Sequence, residues 1–582
     1  HCFDGILAYA RKHAVHTVKA VAGDCNPLAM AVMTALLRWP DRGQPVEYVR
    51  GFRVMGDFQP SGVFREVVPS HKEAPEDFIG KSAVEAVDEF VATQRPHKHA
   101  ERIMQLTLKE RDKGFCRGPF SKQEMDQRHG PGNWRPVPRF LIKQPCGKER
   151  PIDDGKRAGT NKVTWMLETI YTIGIDIVPA FIKVIILCIL EVHCPEAVHW
   201  PMHEVLKVLP EWVIFALAID DLPDAYRMCP VHPDHVGLCS VAVWDVVGMR
   251  WVFFEFYGLL FGFESAVVNF NRKPALAVAV TRRTCAVASA AYFDDLSVTD
   301  LEATAQHAQQ TQEHVLELVG SLPALAKRQL PNGQRVYLGA SVDVGQAHVT
   351  GYVYSSPKFY AMRSIRESVE KAGVTGTLTS AQAGKLRGLA GWSGSLLHGK
   401  CGRLHLQFLK RRQYQEMRSD IVDDSDMKEL RRLADMTENA PVRQVQVCGR
   451  VRPPVVIYSD ASFEVNKPPI CGWVVFNPEW PLPVGQTVTL DPATVERWQE
   501  RMTDIFPAEA CCSVLVPFNL PEAFRNRDVI WFIDNEAAAS AIIRGDSTSP
   551  DVANLVHVAH AIFRELNSRV WIEWVDTKAN PA

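Results

Sequence analysis

The sequence predicts a mixed α+β chain built from several domains. Three observations carry this reading. The chain has 582 residues, more than one hydrophobic core ordinarily serves. Between Trp212 and Val342, apolar strand-like runs alternate with helical periodicity. After Pro453-Pro454, a second alternation of strands and helices begins.

Composition sets the limits. Hydrophobic residues make up 46% and charged residues 23%, which excludes a disordered or fibrous chain. The net charge of -2 supplies no basic excess of the kind nucleic-acid proteins carry, so any such surface must come from local segregation. The stretch from Arg135 to Arg157 is the candidate, with Arg135, Arg139, Lys143, Lys148, Arg150, Lys156 and Arg157 set against three acids. Fourteen cysteines occur without a CxxC pair, so zinc-ligand spacing is absent and a reducing compartment, cytoplasm or nucleus, is expected. The chain opens on His1 with no secretory signal and is expected to be a fragment of a longer protein. Its most apolar stretch, Ile173 to Val192, is broken by Asp176, Pro179, Lys183 and Glu191. A membrane helix needs about 20 apolar residues, so a buried core element is expected and no membrane partner.

Taken in order, residues 1–105 read as helix and loop with no interpretable motif. Gly130-Pro131-Gly132, Pro136 and Pro138 predict a loop before a short strand, Phe140-Leu141-Ile142. Val213 to Ile219 and Trp251 to Phe256 read as strands. Ala286 to Tyr292 and Leu296 to Val298 flank an Asp-Asp pair and predict a hairpin. Leu301 to Leu322 reads as a helix with Val315, Leu318, Val319 and Leu322 on one face. Residues 380–440 are helical with basic clusters such as Lys410-Arg411-Arg412. In the last segment Val455 to Tyr458, Gly472 to Phe476 and Val529 to Ile533 are strands, and Pro550 to Leu566 is a helix.

Three acids stand out in the middle of the chain: Asp221 after an apolar strand, and Asp294-Asp295 in the predicted hairpin. Nucleotidyl transfer uses two divalent cations about 3.5–4 Å apart. Magnesium takes carboxylate oxygen and keeps several waters, so few protein ligands suffice. An Asp-Asp at a hairpin tip is by itself ordinary turn chemistry. Its order and company make it informative.

Asp221-Leu222-Pro223-Asp224-Ala225-Tyr226 resembles the A motif of reverse transcriptases, an Asp followed five residues later by an aromatic. The segment from Tyr257 to Ala266 resembles the B motif, with Phe261 where the family often has Gln. Tyr292-Phe293-Asp294-Asp295 resembles the C motif, Lys327 sits where the D-motif lysine falls, and Val336-Tyr337-Leu338-Gly339 resembles the primer-grip turn. Upstream, Lys143 and Arg150 stand seven apart like the two fingers cations.

The resemblance implies a right-hand polymerase of fingers, palm and thumb. Asp221 and Asp294 would ligate both metals, with Asp295 supporting. Lys143 and Arg150 would neutralise the triphosphate, and Lys327 would protonate pyrophosphate or else face solvent. Tyr226 would lie under the sugar, Phe261 would contribute to nucleotide binding, and Leu338-Gly339 would grip the primer. Asp220 doubles the catalytic Asp and leaves the register open, although the spacing to Ala225-Tyr226 favours Asp221. Asp153-Asp154-Gly155 is more acidic than the usual segment after the fingers arginine. Leu386 to Trp392 resembles the helical thumb and connection, whose basic residues would track a template-primer duplex.

Toward the C-terminus, Asp460 in Tyr458-Ser459-Asp460-Ala461-Ser462, Glu509 in Pro507-Ala508-Glu509-Ala510 and Asp534 in Ile533-Asp534-Asn535-Glu536 resemble the first three carboxylates of a retroelement ribonuclease H domain. Such a set surrounds two magnesium ions and activates water against an RNA phosphodiester. The family's fourth Asp follows an Asn-x-Ala segment, and here Asn580-Pro581-Ala582 ends the sequence, so an incomplete site is expected, with Asp576 the substitute to consider.

The expected organisation is an uninterpreted region, 1–105; fingers and palm, 106–345; a helical thumb and connection, 346–452; and a ribonuclease-H-like α/β domain, 453–582, truncated at its end. The implied function is an RNA-directed DNA polymerase with ribonuclease H, from a retrotransposon of DIRS-type or another long-terminal-repeat-related branch. Its partners would be a primed RNA or DNA template and deoxynucleoside triphosphates. Its cofactor would be Mg2+, two ions per site, with Mn2+ as a substitute. The competing reading is a decayed or domesticated relic that binds nucleic acid without catalysis. An RNA-templated RNA polymerase is disfavoured by Tyr226 and by the C-terminal acids.

Overall fold

Apolar strands ending in acids need neighbours on both edges and a helical cover on one face, and the chain supplies these twice over. The computed structural model describes residues 8, 12, 14–22, 25–68, 73–143, 147, 149–397, 406–414, 419–439, 442–464, 467–501, 504–545 and 547–582. The chain divides into two compact units, residues 1–181 with 215–332, and residues 182–214 with 333–582. The expected mixed α+β class is the one observed.

The first unit holds two main sheets. One consists of β1 (Cys116–Phe120), β2 (Pro136–Lys143), β3 (Glu149–Asp153), β5 (Ser240–Asp245) and β6 (Arg250–Phe256), in the order β1-β6-β5-β2-β3. The other is fully antiparallel, β7-β8-β4-β9, from β4 (Phe215–Asp221), β7 (Ala288–Tyr292), β8 (Asp295–Leu301) and β9 (Gln329–Asn332). Two long helices belong to this unit, α4 (Glu264–Cys285) and α5 (Glu302–Leu318). Upstream come α1 (Lys81–Thr93), α2 (Ala100–Asp112) and the short α3 (Gly155–Ala158). Residues before 105 join the same core: Met30, Tyr48, Phe52, Phe78 and Ile103 pack in one cluster with Leu259, Leu260, Phe270 and Leu296.

Several expectations shift. Pro136 and Pro138 do not form a loop but open β2, because a proline lacks only the donor. The Pro138 carbonyl still accepts from the Asp154 amide at 2.8 Å. The predicted face of α5 is half right: Val315 and Val319 are buried, whereas Leu318 is 53% and Leu322 57% exposed. The helix stops at Leu318, and Gly320 follows in a left-handed conformation at φ 70°, so Leu322 never joins it. The apolar stretch from Ile173 becomes a helix, Ile177–His193, whose Val178, Ile182, Ile186 and Leu190 form a buried stripe at a four-residue spacing. Among the described residues no helix is long and apolar enough to cross a membrane.

In the second unit, β10 (Gln334–Tyr337), β11 (Ala340–Asp343), β12 (Tyr352–Pro357) and β13 (Arg443–Gln446) form an antiparallel sheet. Helices α6 (Phe359–Thr375), α7 (Ser380–Ser395), α8 (Leu406–Gln413) and α9 (Asp424–Glu438) bury Ile365, Val369, Leu386, Leu409, Leu430 and Leu433 together. Capping boxes at Thr379/Gln382 and Asp423/Asp426 set where α7 and α9 begin.

The last sheet has the order β16-β15-β14-β17-β18, from β14 (Val455–Ser462), β15 (Ile470–Phe476), β16 (Val484–Thr489), β17 (Asp528–Ile533) and β18 (Arg569–Trp574). The first three strands pair antiparallel, and β14, β17 and β18 run parallel. Parallel neighbours need crossover connections. These contain α10 (Ile505–Asn519), α11 (Glu536–Arg544) and α12 (Pro550–Glu565).

Candidate active sites

In a strand, successive side chains point to opposite faces. At the end of β4 this separates two adjacent acids. Asp220 turns to the face covered by α5, where Gln309 and Gln312 each donate to one of its oxygens at 2.9 Å. Asp221 turns the other way and is paired across the ladder with Asp295. The register left open by the sequence therefore falls on Asp221 as the site-facing acid.

The β7–β8 hairpin closes on the pair Tyr292–Asp295, leaving Phe293 and Asp294 at the tip, with Phe293 left-handed at φ 55°. The Asp294 carbonyl accepts from the Leu222 amide at 2.8 Å, which ties the tip to the end of β4. Burial, then the Asp221 charge, push the Asp294 carboxyl above the usual carboxylate range, while Arg150 and Lys327 pull it back. Lys327 also donates to Asp221 Oδ1. The geometry thus brings Asp221, Asp294, Asp295, Arg150 and Lys327 to one place.

Tyr226 packs edge-on against Phe261 at 4.8 Å and Phe270 at 5.3 Å between ring centroids. Burial, then the charge of Asp294, push its hydroxyl up to about 12. The ring therefore stands beside the acids, walled by Phe261.

What fixes that wall was not legible in the sequence. Asp153 lies fully buried between two arginines: Arg139 Nε donates to Oδ1 and Arg227 Nη2 to Oδ2, both at 2.7 Å. Glu110 completes the square, accepting from Arg139 at 2.6 Å and from Arg227 at 2.9 Å. Burial alone would raise Asp153, but the two guanidiniums override it and hold it down to about 2. The same carboxylate accepts from the Phe261 amide at 3.1 Å, and Arg227 donates to the Leu259 carbonyl at 2.9 Å, so the cluster grips the turn from Leu259 to Phe261. Gly262 at φ 140° allows the approach, since a Cβ there would meet the Asp153 carbonyl oxygen at 2.1 Å. Asp154 caps α3 by accepting from the Arg157 amide at 2.9 Å. The acidity of Asp153-Asp154 after Arg150 is therefore structural, and the signal for it was its departure from the expected segment.

The basic stretch shrinks accordingly. Arg139 is locked in the buried square, and Arg135 bonds Ser82 at 2.6 Å and lies over the Phe78 ring. Lys143 and Arg150 are not brought together. Lys143 stands opposite Glu149 and forms a 3.2 Å ion pair with it, whereas Arg150 stands opposite Ile142. By strand alternation the two cations leave the hairpin on opposite faces. Lys148 lies outside the described residues.

In the second unit, Leu338 and Gly339 form the two-residue turn between β10 and β11, both left-handed, at φ 49° and 80°. Such turns match the twist of the strands they join. A Cβ on Gly339 would meet Trp392 Nε1 of α7 at 3.0 Å, so turn and helix are in close approach. In the basic cluster, Arg412 is buried against Asp426 at 2.7 Å and faces no partner outside.

Asp460 on β14, Glu509 on α10 and Asp534 at the end of β17 place ligand oxygens within 4.8 Å of one another, the one such trio of acid, His or Cys side chains among the described residues. The segment from Pro507 lies inside α10, with Pro507 in the first turn, where its missing N–H costs no bond. Glu509 Oε1 accepts from the Ala461 amide at 3.1 Å. Burial, then Asp534 and Asp460, drive the Glu509 carboxyl up to about 9, and burial and Asp534 raise Asp460 as well. Glu509 Oε2 and Asp534 Oδ1 are buried with no hydrogen-bond partner. Buried acceptors left open cost free energy unless something satisfies them. Hard oxygen donors so placed fit divalent magnesium.

The chain's last residues lie beside this trio: Asn580 Nδ2 donates at 2.9 Å to the carbonyl of Ser459, next to Asp460. Asp576 does not join it. It is exposed and accepts from the Lys578 amide at 3.0 Å, capping a short turn. Asn535 likewise serves as the cap of α11.

No model of a known protein family matches this chain, and no curated protein matches it. Among solved structures, it is similar to the foamy viral protease-reverse transcriptase dRH in complex with double-stranded DNA, at 10% identity and a TM-score of 0.43, over 94% of this chain and 81% of that one. The foamy viral protease-reverse transcriptase in complex with double-stranded DNA gives 12% and 0.41, over 96% and 97%. The same protein in complex with an RNA/DNA hybrid gives 12% and 0.42, over 96% of this chain and 62% of that one.

Proposed function

We propose that this chain is an RNA-directed DNA polymerase of a retroelement, with ribonuclease H activity in its C-terminal part. The observation that carries the reading is the Asp221–Asp295 rung, with hairpin-tip Asp294 tied to the end of β4 and Lys327 bonded to Asp221. Strand-end and hairpin acids would hold divalent metals, and a cation on hand would offset phosphoryl charge.

Asp221 and Asp294 would hold two magnesium ions, or manganese in their place, with Asp295 in support. Bound there, the metals would activate the primer 3′-hydroxyl and carry the triphosphate. Arg150, whose charge already reaches Asp294, would neutralise triphosphate charge. Lys143, on the opposite face of the hairpin and paired with Glu149, would take no part in that step. Lys327 would release Asp221 and give its proton to pyrophosphate. Tyr226, braced by Phe261 and Phe270, would put its ring where a 2′-hydroxyl would have to go. The Leu338-Gly339 turn would hold the primer. In the C-terminal domain, Asp460, Glu509 and Asp534 would hold two further ions for hydrolysis of the RNA strand. The ligands would be a primed RNA or DNA template and deoxynucleoside triphosphates. The retrotransposon origin, read from Phe261 and the C-terminal acids, and an intracellular site of action belong to the same proposal.

Primer extension by the purified protein on RNA and on DNA templates, with and without Mg2+, tests it. Metal-dependent deoxynucleotide addition on RNA is expected, lost in Asp294→Asn. A wild-type protein that binds template-primer and never extends it would favour the domesticated relic.

A further inference from the structure

Asp220 has no place in the chemistry above, yet it is fully buried and the chain invests several polar groups in it. Its two oxygens take Gln309 Nε2 and Gln312 Nε2 of α5, one each at 2.9 Å. Gln312 Oε1 accepts from Ser289 Oγ on β7 at 2.5 Å. Gln309 Nε2 also lies 3.3 Å from the Gln329 carbonyl on β9. Ser289, Gln309 and Gln312 are all buried. One acid on β4 is therefore bound through two amides to both outer strands of the sheet. Glu313 of α5 stands next to this group and is ion-paired with Arg328 at 2.6 Å.

Packing does not require this. Two residues back along the same face of β4, Ala218 packs with Val298 and Ala308 in an apolar cluster. Burying these four polar side chains costs free energy that their mutual hydrogen bonds only offset. What a polar network adds over apolar packing is direction, because hydrogen bonds fix angles and apolar contacts do not. The residue whose direction is fixed is the one that shares a peptide unit with Asp221.

We propose that Asp220, Gln309 and Gln312 form a positioning network for the polymerase site. By clamping the Asp220 side chain on one face of β4, it sets the backbone torsions that aim the Asp221 carboxylate from the other face. It also holds β7 and β9 in register beneath the Asp221–Asp295 rung. This inference rests on the polymerase reading of Asp221.

The test is a charge-neutral exchange of donor and acceptor. Asp220→Asn keeps shape but presents an amide donor to one of two glutamine donors. It should lower kcat for primer extension about 10- to 100-fold, the scale of a misplaced catalytic group, and raise the Mg2+ concentration needed for half-maximal rate. The deoxynucleotide KM should stay within about twofold, because the network touches no substrate. Adding Gln312→Glu to Asp220→Asn restores a donor–acceptor match, since the new amide can donate to the new carboxylate, and that carboxylate still accepts from Ser289. The double variant should recover most of the rate and the wild-type Mg2+ requirement.

Should Asp220→Asn fail to fold, Gln309→Met, which removes one donor and keeps the volume, is read in the same assay with the same expectation. An Asp220→Asn protein, or in its place Gln309→Met, that is less stable but has wild-type kcat and Mg2+ dependence while folded would overturn the proposal and leave the polymerase reading intact. A wild type without extension, unchanged by Asp294→Asn, would remove the polymerase reading itself.

Discussion

Lys327 hydrogen-bonds to Asp221, a residue 106 positions earlier in the sequence, and its charge also acts on Asp294. The lysine thus neutralises part of the repulsion between two acids that the fold forces together. Lys327→Met should lower kcat of extension by about 100-fold or more, the scale of a general acid's contribution. The pH profile gives the sharper test. Without Lys327, Asp294 loses a stabilising positive charge and ionises at higher pH, so the acid limb of the rate profile should move upward. An acid limb that stays put would place the lysine outside the site.

Asp294→Asn removes a charge and keeps the shape. Since Asp294 is raised by burial and by Asp221, the neutral amide relieves repulsion in the metal-free protein. The variant should melt at or slightly above the wild-type temperature while extension falls by at least about 100-fold. Calorimetry and primer extension on one preparation check both halves.

Tyr226→Ala should relax sugar selection. Removing the ring opens the space bounded by Phe261 and Phe270. The ratio of kcat/KM for ribonucleotide over deoxyribonucleotide should rise about 10- to 100-fold. Tyr226→Phe, which keeps the ring, should retain wild-type selectivity. Equal ratios in all three proteins would move the gate elsewhere.

Glu509 links the C-terminal site to pH. Its folded-state value, about 9, lies far above the ordinary 4.5, so the proton is held at neutral pH when no metal is bound. Its contribution to metal-free stability is fully present below about 4.5 and is lost as pH rises through about 9. Mg2+ must displace that proton, so binding should strengthen as pH rises from 7 toward about 9, with proton release. Titration calorimetry in buffers of different ionisation enthalpy measures the release. Glu509→Gln should stabilise the metal-free domain and abolish Mg2+ binding; Mg2+ affinity independent of pH would contradict the assignment.

Breaking the buried square around Asp153 should be expensive. Asp153→Asn leaves Arg139 and Arg227 buried without full compensation, a change worth about 3–5 kcal/mol. Because Asp153 is depressed from 3.8 to about 2, its stabilisation is present above 3.8 and lost as pH falls through about 2. Urea unfolding at pH 7 should therefore show the loss in Asp153→Asn, and the gap to wild type should narrow toward pH 2.

Local rules determined a good part of this protein. The apolar runs before Asp221 and around Val455 became β4 and β14, because a long stretch of buried β-branched and aromatic residues has few other uses. The Asp-Asp hairpin and the Leu338-Gly339 turn follow from residue order and turn chemistry, which act within a few positions. The order of the motifs singled out the acids that the fold gathers at each site.

Tertiary structure decided what each charge does. Arg139 and Arg150 look alike in the sequence, yet one is sealed in an ion-pair square and the other acts on Asp294. Lys143 and Arg150 match a motif by spacing, but the hairpin register turns them to opposite faces. Asp220 and Asp221 are neighbours of identical chemistry, separated only by the pleat of a strand whose two faces meet different surroundings. Burial and partners set the cost of a charge, and both come from residues tens to hundreds of positions away. Pattern therefore fixed which residues are ionisable and where strands run, while the packed fold alone assigned each ion to structure or to the site.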